Sequence, residues 1–252
     1  MESRIDPRID LERLPHHIGI IMDGNGRWAQ KRFLPRVAGH REGVKSVDKV
    51  VAHACRIGIK ALTLYSFSLE NWNRPKDEVD ALMDILADYL ERELQRMLRE
   101  GIRFNTIGHE EDLPLFAQEI VQRVKEQTAD RDGMVLTLAL SYGARREITD
   151  AARAISKEVQ KGILQPEEID ESDIERHLYT ADLPKLDLLI RTSGELRLSN
   201  YLLWQAAYAE LYFTDIKWPE FAERELEDAI LAYQSRVRKF GLTEEQFTTR
   251  RN

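Results

Sequence analysis

The residues best suited to chemistry lie in two glycine turns and one polar loop. Asp23-Gly24-Asn25-Gly26-Arg27-Trp28-Ala29 follows the apolar run His17–Met22, and Lys31, Arg32, Arg36, His40 and Arg41 crowd the next stretch. Glycines directly after a strand let backbone N–H groups approach an anion, and a helix beginning there adds its positive end. Arginine grips phosphate oxygens through paired hydrogen bonds. Taken singly, these features read as a plain turn and a solvated basic face; their succession favours a phosphate cradle. Arg191-Thr192-Ser193-Gly194-Glu195-Leu196-Arg197-Leu198-Ser199-Asn200 makes a second such cradle from two arginines and a serine around a glycine.

Between them stands Ser66-Phe67-Ser68-Leu69-Glu70-Asn71-Trp72-Asn73-Arg74-Pro75. Neutral Ser68 and Asn71 could orient a proton transfer without carrying charge, while Phe67 and Trp72 could meet an apolar substrate or simply plug a capped turn. Glu210 sits in the apolar string Trp204–Phe213; an acid there is either paired with an arginine or functional. Two anion cradles and a carboxylate point to two phosphorylated substrates and a divalent cation, Mg2+ being the one that typically joins a carboxylate or two to substrate phosphates. The first turn also fits the dinucleotide fingerprint G-x-G-x-x-A. Three features speak against that reading: Asp23 would face the pyrophosphate, Trp28 is bulky where helix and strand must pack, and the second strand ends in Ser66-Phe67-Ser68 rather than an acid. No H-E-x-x-H, Cys/His cluster or Walker A string occurs, so nothing supports zinc or P-loop chemistry. The histidines other than His40 show no partner pattern and read as structural or solvated.

These residues need a scaffold. Short apolar runs at His17–Met22, Ala61–Phe67, Arg103–Ile107, Met134–Leu140, Leu186–Ile190 and Tyr208–Phe213 read as strands, several apolar on consecutive residues as strands covered on both faces are. Amphipathic stretches at Arg41–Arg56, Lys76–Glu100, Leu113–Gln127, Arg145–Lys161 and Glu220–Phe240 read as helices. The alternation predicts an α/β fold with a mainly parallel sheet, whose ligands bind beyond the carboxyl ends of its strands. In Lys76–Glu100, Pro75 precedes, Asp77 and Glu78 fill the first turn and Gly101 follows. Its stripe of Val79, Leu82, Met83, Leu86, Leu90, Leu94 and Met97, widened by Ile85 and Tyr89, suits a core-facing helix or the wall of an apolar tunnel, and periodicity does not choose.

Composition bounds the rest. The 252 residues fit one domain, with no repeat or linker, and residues 1–15 and 242–252 read as loosely ordered tails. The net charge of −7 argues against general nucleic-acid binding. Residues 1–74 nevertheless hold 13 Lys and Arg against 8 Asp and Glu, a local anion-binding bias. Cys55 stands alone, so no intrachain disulfide forms. Met1–Pro15 lacks the apolar core of a signal peptide, and Ala61–Leu69 is too short to span a bilayer. The expectation is a cytoplasmic protein.

His17–Ala29, Gly39-His40, Ser68–Pro75, Asp187–Glu195 and Trp204–Phe213 resemble, in order, the signature regions of the cis-prenyltransferases, in particular those of bacterial undecaprenyl diphosphate synthase type. The resemblance runs from about His16 to Gly241. It implies a homodimer with a mainly parallel six-stranded sheet, flanked by helices and enclosing an apolar tunnel. It implies the extension of farnesyl diphosphate by successive isopentenyl diphosphates to a long polyprenyl diphosphate, the lipid carrier for cell-wall glycans, with peripheral membrane contact compatible with such a product. By motif, Asp23 would position Mg2+, and Gly24, Asn25, Gly26, Arg27, Arg36 and His40 would hold the allylic diphosphate. Arg191, Arg197 and Ser199 would hold isopentenyl diphosphate, and Glu210 would support the metal. Ser68 and Asn71 would help remove the proton, with Trp28, Glu70, Trp72 and Arg74 as further substrate contacts. Val44, Ser66, Phe67, the fourth strand and the Val79–Met97 stripe would line the tunnel, with Met134 near its floor and limiting product length. The chain departs from the common pattern at Ser141-Tyr142-Gly143-Ala144-Arg145-Arg146, where Asn-Tyr-Gly-Gly-Arg-Trp is frequent, and at Thr192-Ser193-Gly194 for Thr-Gly-Gly. Against a non-catalytic accessory subunit stand Asp23, Arg191, Arg197 and Ser199. Against a trans-prenyltransferase stand the strand alternation and the lack of a D-D-x-x-D string.

Overall fold

The computed structural model describes residues 5–236. Its six strands are β1 (His17–Ile21), β2 (Ala61–Ser68), β3 (Arg103–Gly108), β4 (Val135–Tyr142), β5 (Leu188–Arg191) and β6 (Glu210–Phe213). They form one sheet in the order β3-β4-β2-β1-β5-β6, and every pairing is parallel. The helices are α1 (Asn25–Gln30), α2 (Arg36–Ile57), α3 (Lys76–Glu100), α4 (Leu115–Thr128), α5 (Ala144–Gln160), α6 (Glu171–Glu175) and α7 (Glu223–Ser235).

The apolar runs form strands because both sheet faces are covered. Successive side chains point to opposite faces, so Ile18 and Ile20 of β1 join one core cluster and Ile21 the other. Leu188 and Ile190 of β5 likewise separate from Leu189. The face shared by Leu62, Leu64, Leu136 and Leu138 packs against Val50, Val51 and Ala54 of α2 and Met83, Leu90 and Met97 of α3. Helix α3 covers the expected range: Pro75 precedes it, and Gly101, at φ +69°, provides the left-handed exit that favours glycine. Helix α2 begins at Arg36, five residues earlier than its apolar periodicity suggests, because Pro35 supplies a helix-compatible φ at its entry. The last helix begins at Glu223 after a short turn at Trp218–Glu220; positions 237–240 of its expected range, and the C-terminal tail, lie outside the described residues.

Residues 5–15, expected as a loose tail, are docked. Ile9 is buried in the core, the Asp6 amide donates to Glu227 Oε1 at 3.2 Å, and Gln234 Nε2 donates to Asp10 O at 2.7 Å. A single buried isoleucine, worth about 1.5–3 kcal/mol, was hidden among polar neighbours in the sequence.

The strand order matters for function. From β1 the chain crosses to β2 on one side, and from β5 to β6 on the other, while β1 and β5 are neighbours. Loops that diverge from adjacent parallel strands leave a crevice beyond their carboxyl ends. Asp23 follows β1 and Thr192 follows β5, so both glycine turns open into that crevice.

Candidate active site

The two turns are laced together. The Asp23 amide donates to Thr192 Oγ1 at 2.8 Å, and the Thr192 hydroxyl donates to Asp23 O at 2.7 Å. Gly24 sits at φ +103°, and a Cβ there would lie 2.7 Å from Ser193 Oγ. A Cβ on Gly26 would meet Arg36 Cζ at 2.9 Å, so the guanidinium of Arg36 lies directly over the turn. At Gly24 both the conformation and the close approach favour glycine.

Asp23 is the electrostatic centre. Its Oδ1 accepts from the Gly24 amide at 2.6 Å, and Oδ2 lies 3.1 Å from Arg191 Nη2 and 3.2 Å from Arg27 Nη2. Arg191 is only 4% exposed; its Nη1 donates to Ser199 Oγ at 2.6 Å and to the Arg197 carbonyl. The Arg191 guanidinium therefore places positive charge behind the crevice. The loop that shapes this contact is strained. Ser193, Ser199, Asn200 and Leu202 all adopt positive φ, each costing about 1–2 kcal/mol for an L-residue. Such strain gathers where the surrounding structure imposes a function-specific conformation.

Two carboxylates that sequence reasoning did not single out organise the remaining cations. Glu195 bridges Arg27 at 2.9 Å and Arg197 at 2.5 Å, joining the two cradles. Glu78, in the first turn of α3, lies 3.1 Å from Arg74, 3.5 Å from Arg36 and 3.5 Å from His40. The only sequence signals were spacings, Glu78 four residues after Arg74 and Glu195 two before Arg197. Burial, aided by the charges of Arg74 and Arg36 and opposed by Glu78, lowers the His40 pKa to about 4. His40 is therefore a neutral imidazole at neutral pH.

A cavity of about 620 Å³ begins at these groups. Its polar end carries Asp23, Asn25, His40, Ser68, Glu70, Asn71, Arg74, Arg191, Ser199 and Asn200. Its other walls are apolar, from Val44 and Val47 of α2, Leu82, Met83, Ile85, Leu86 and Tyr89 of α3, and Leu64, Leu138 and Leu140 of the sheet. Ser66 and Phe67 line it as expected. Three buried polar atoms around the polar end, Asn25 Oδ1, His40 Nε2 and Arg191 Nε, have no hydrogen-bond partner. Unsatisfied buried groups cost about 1–3 kcal/mol each, a cost that a polar ligand would remove. In the loop after β2, the Ser68 amide donates to Asn71 Oδ1 at 3.1 Å, and Asn200 Nδ2 donates to Glu70 Oε1 at 3.0 Å.

The structure gathers most of the expected site residues at the cavity, and others stand apart from its wall. Arg27, Arg36 and Arg197 stand just outside the cavity wall, held there by Asp23, Glu78 and Glu195. Trp72 packs edge-on against Phe67, 4.8 Å between centroids, and donates to Ser141 Oγ at 2.9 Å, so it braces the loop from behind. Trp28 is covered by the Arg32 guanidinium at 4.1 Å and does not line the cavity. Glu210 is misplaced for a shared ion: it opens β6 opposite Leu188, three residues below Arg191, about 10 Å along a strand. Its carboxylate instead pairs with Arg236 at 2.8 Å. In one chain Glu210 is thus at the wrong end of the sheet to meet Asp23. Met134 is buried before β4 and does not reach the cavity wall, so it is not the floor of this cavity.

Known proteins are similar to this chain. A family model described as putative undecaprenyl diphosphate synthase matches residues 21–241. The isoprenyl transferase of Geobacter sulfurreducens is 50% identical over 239 residues, covering 95% of this chain and 97% of that protein. The isoprenyl transferase of Enterococcus faecalis is 50% identical over 233 residues, covering 91% and 86%. Among solved structures, lavandulyl diphosphate synthase from Lavandula x intermedia, in complex with dimethylallyl diphosphate, superposes with a TM-score of 0.88 at 40% identity, covering 91% of this chain and 99% of that one. A probable undecaprenyl diphosphate synthase from Campylobacter jejuni superposes with a TM-score of 0.73 at 35% identity, covering 90% and 98%. With a charged crevice that opens into an apolar cavity on the same six-stranded parallel sheet, the chain belongs to the undecaprenyl diphosphate synthase family, the cis-prenyltransferases, and is a transferase of prenyl groups.

Proposed function

We propose that the protein condenses farnesyl diphosphate with successive isopentenyl diphosphates to a long-chain polyprenyl diphosphate of the undecaprenyl type. One observation carries this reading: the cation-lined end of the cavity is continuous with a wall of aliphatic side chains from α2, α3 and the sheet. Phosphate groups and a hydrocarbon tail are thereby served by one enclosure. Each CH2 moved from water into such a wall contributes about 0.8 kcal/mol.

In each cycle the allylic C–O bond breaks and its electron pair leaves with the diphosphate. The homoallylic double bond attacks the resulting carbon, and a proton is lost to form the new cis double bond. Arg27, Arg36, Arg74 and the amides of the Gly24–Gly26 turn bind the allylic diphosphate, their fixed charges stabilising the departing group. Arg191, Arg197 and Ser199 hold the isopentenyl diphosphate. Neutral His40 offers a hydrogen bond without adding repulsive or competing charge. Ser68 and Asn71, on the cavity wall beside the cradles, orient the departing proton. Asp23, which lines the polar end of the cavity, would hold a magnesium ion together with the substrate phosphates. Bound there, the ion would supply positive charge that stabilises the leaving group.

The same reading includes a homodimer and product delivery at a membrane surface. The edge strand β6, none of whose residues is fully buried, and exposed Tyr208 suit the first. Phe33, 98% exposed among Lys31, Arg32 and Arg36, suits the second. No helix among the described residues is long and apolar enough to cross a membrane.

The test incubates purified protein with farnesyl diphosphate, labelled isopentenyl diphosphate and Mg2+, then sizes the products, with and without anionic vesicles, on material of measured molar mass. Asp23→Ala should lower turnover at least a hundredfold, about 2.7 kcal/mol of transition-state stabilisation, while melting normally. Near-normal turnover in that variant would contradict the role of Asp23. A monomer mass and indifference to vesicles would remove the homodimer and the membrane step.

A further inference from the structure

Strands β2 and β4 break their rhythm just where the Ser68–Pro75 loop begins. A regular strand places residues two apart on one face. Tyr65 and Phe67 nevertheless pack into opposite core clusters, and so do Leu140 and Tyr142. The register gives the reason. Tyr65 pairs with Ala139, Phe67 with Leu140 and Ser68 with Tyr142, so Ser66 and Ser141 are each one residue too many. Such a bulge re-aims the side chains around it. Ser141 absorbs it at φ +45° while fully buried, a left-handed conformation that an L-residue adopts only at a cost.

The Ser141 hydroxyl stands between two groups of fixed role. The Trp72 indole N–H donates to it at 2.9 Å, and it donates in turn to Asp112 Oδ2 at 2.7 Å. An indole only donates and an ionised carboxylate only accepts, so the serine proton has one direction to point. Asp112 reaches this spot from the end of β3, where the His109 amide donates to Leu140 O at 3.1 Å and the Asp112 amide to His109 O at 3.2 Å. Arg146 Nη1 of α5 lies 3.6 Å from the same Asp112 oxygen. Trp72, Ser141, Asp112 and Arg146 all stand off the cavity wall.

The other side of the same loop faces the substrates. Ser68 and Asn71 cap each other: the Ser68 amide donates to Asn71 Oδ1 at 3.1 Å, and the Asn71 amide donates to the Ser68 side chain. Both line the cavity, as does Phe67, whose ring meets the indole of Trp72 edge-on. The capped pair is therefore one short turn, with Trp72 as its handle. Packing on Phe67 sets how deep the indole sits, and the bond to Ser141 sets which way it points. We propose that Ser141, oriented by Asp112, is a positioning residue for prenyl transfer: through the Trp72 indole it fixes the turn that presents Ser68 and Asn71 to the reacting substrates.

The proposal rests on the prenyl-transfer reading above, and its test separates the two. Initial rates with farnesyl diphosphate, labelled isopentenyl diphosphate and Mg2+ are measured for wild type, Ser141→Ala, Ser141→Gly, Ser141→Asn, Trp72→Phe and Trp72→Phe/Ser141→Ala, each with its melting temperature. Ser141→Ala should lower kcat by about 10- to 100-fold, the scale of a small misplacement of reacting groups. KM for both diphosphates should change less than about threefold, because the lost contact orients the reaction and does not bind the head groups. Ser141→Gly deletes the same hydroxyl but relieves the positive φ, so it should melt higher than Ser141→Ala while losing as much kcat. Ser141→Asn, whose amide both accepts and donates and which tolerates positive φ, should keep most of the wild-type kcat. Trp72→Phe keeps a ring against Phe67 without the N–H, and the double variant should be no slower than the slower single one. A normal kcat in Ser141→Ala, a kcat in Ser141→Gly that recovers with its stability, or additive losses in the double variant would each overturn the proposal. A wild-type protein that makes no product would overturn the prenyl-transfer reading itself.

Discussion

Replacing Gly24 by alanine should damage the crevice in a way that the opposite loop can repair. At φ +103° an L-residue is strained by about 1–2 kcal/mol. The new methyl would lie 2.7 Å from Ser193 Oγ, 2.9 Å from Ser193 Cβ and 3.0 Å from Lys217 Cβ, an overpacking that costs about 1–3 kcal/mol. Together these give a loss of about 2–5 kcal/mol for Gly24→Ala. At about 2–4 °C per kcal/mol for a chain of this size, the melting temperature should fall by roughly 5–20 °C. Ser193 itself carries φ +75°, so Ser193→Gly relieves its own strain and deletes two of the three clashing atoms. Alone it should change stability by less than about 1 kcal/mol, since the relief is offset by glycine's greater freedom in the unfolded chain. In Gly24→Ala/Ser193→Gly it should return about 1–3 kcal/mol. Urea denaturation of all four proteins closes the double-mutant cycle. Additive single effects would refute the contact between the turns, and a Gly24→Ala variant as stable as wild type would refute the conformational argument as well.

Two further outcomes follow from the same geometry. Arg191→Lys keeps the charge but cannot reach Asp23 Oδ2, Ser199 Oγ and the Arg197 carbonyl at once; losing one charge-assisted bond, about 1.5–3 kcal/mol, should lower kcat/KM for isopentenyl diphosphate by roughly 10- to 100-fold. Wild-type kinetics in that variant would remove the fork from the site. His17, bonded to Thr63 Oγ1 at 2.7 Å and to Pro184 O at 2.9 Å, has its pKa lowered to about 4, mainly by burial. The unfolded histidine takes up a proton below its ordinary pKa of about 6.5, so the neutral folded form contributes fully above that value and less as pH falls toward 4. The slope is up to about 1.4 kcal/mol per pH unit. The stability difference between wild type and His17→Gln should therefore shrink from pH 7 to pH 4.5 in chemical denaturation, and a difference independent of pH would show that His17 is not held neutral.

The sequence by itself determined the element types and the chemistry of the strings. Consecutive apolar residues mark strands covered on both faces, and Pro75 and Gly101 bracket α3 at its true ends, because burial and backbone sterics act within a few residues. Clustered arginines beside glycines likewise announce anion binding wherever they fold. Tertiary structure decided which of these meet. Asp23 and Arg191 touch only because β1 lies beside β5, a pairing across 168 positions that no local pattern records. The same placement put Glu210 at the foot of β6, brought Glu78 among Arg36, Arg74 and a neutral His40, and left Trp72 and Met134 outside the cavity. Side-chain periodicity tells which face of a segment is buried. It does not tell how high along the sheet a residue stands or what faces it, since both depend on strand order and helix packing between distant parts of the chain.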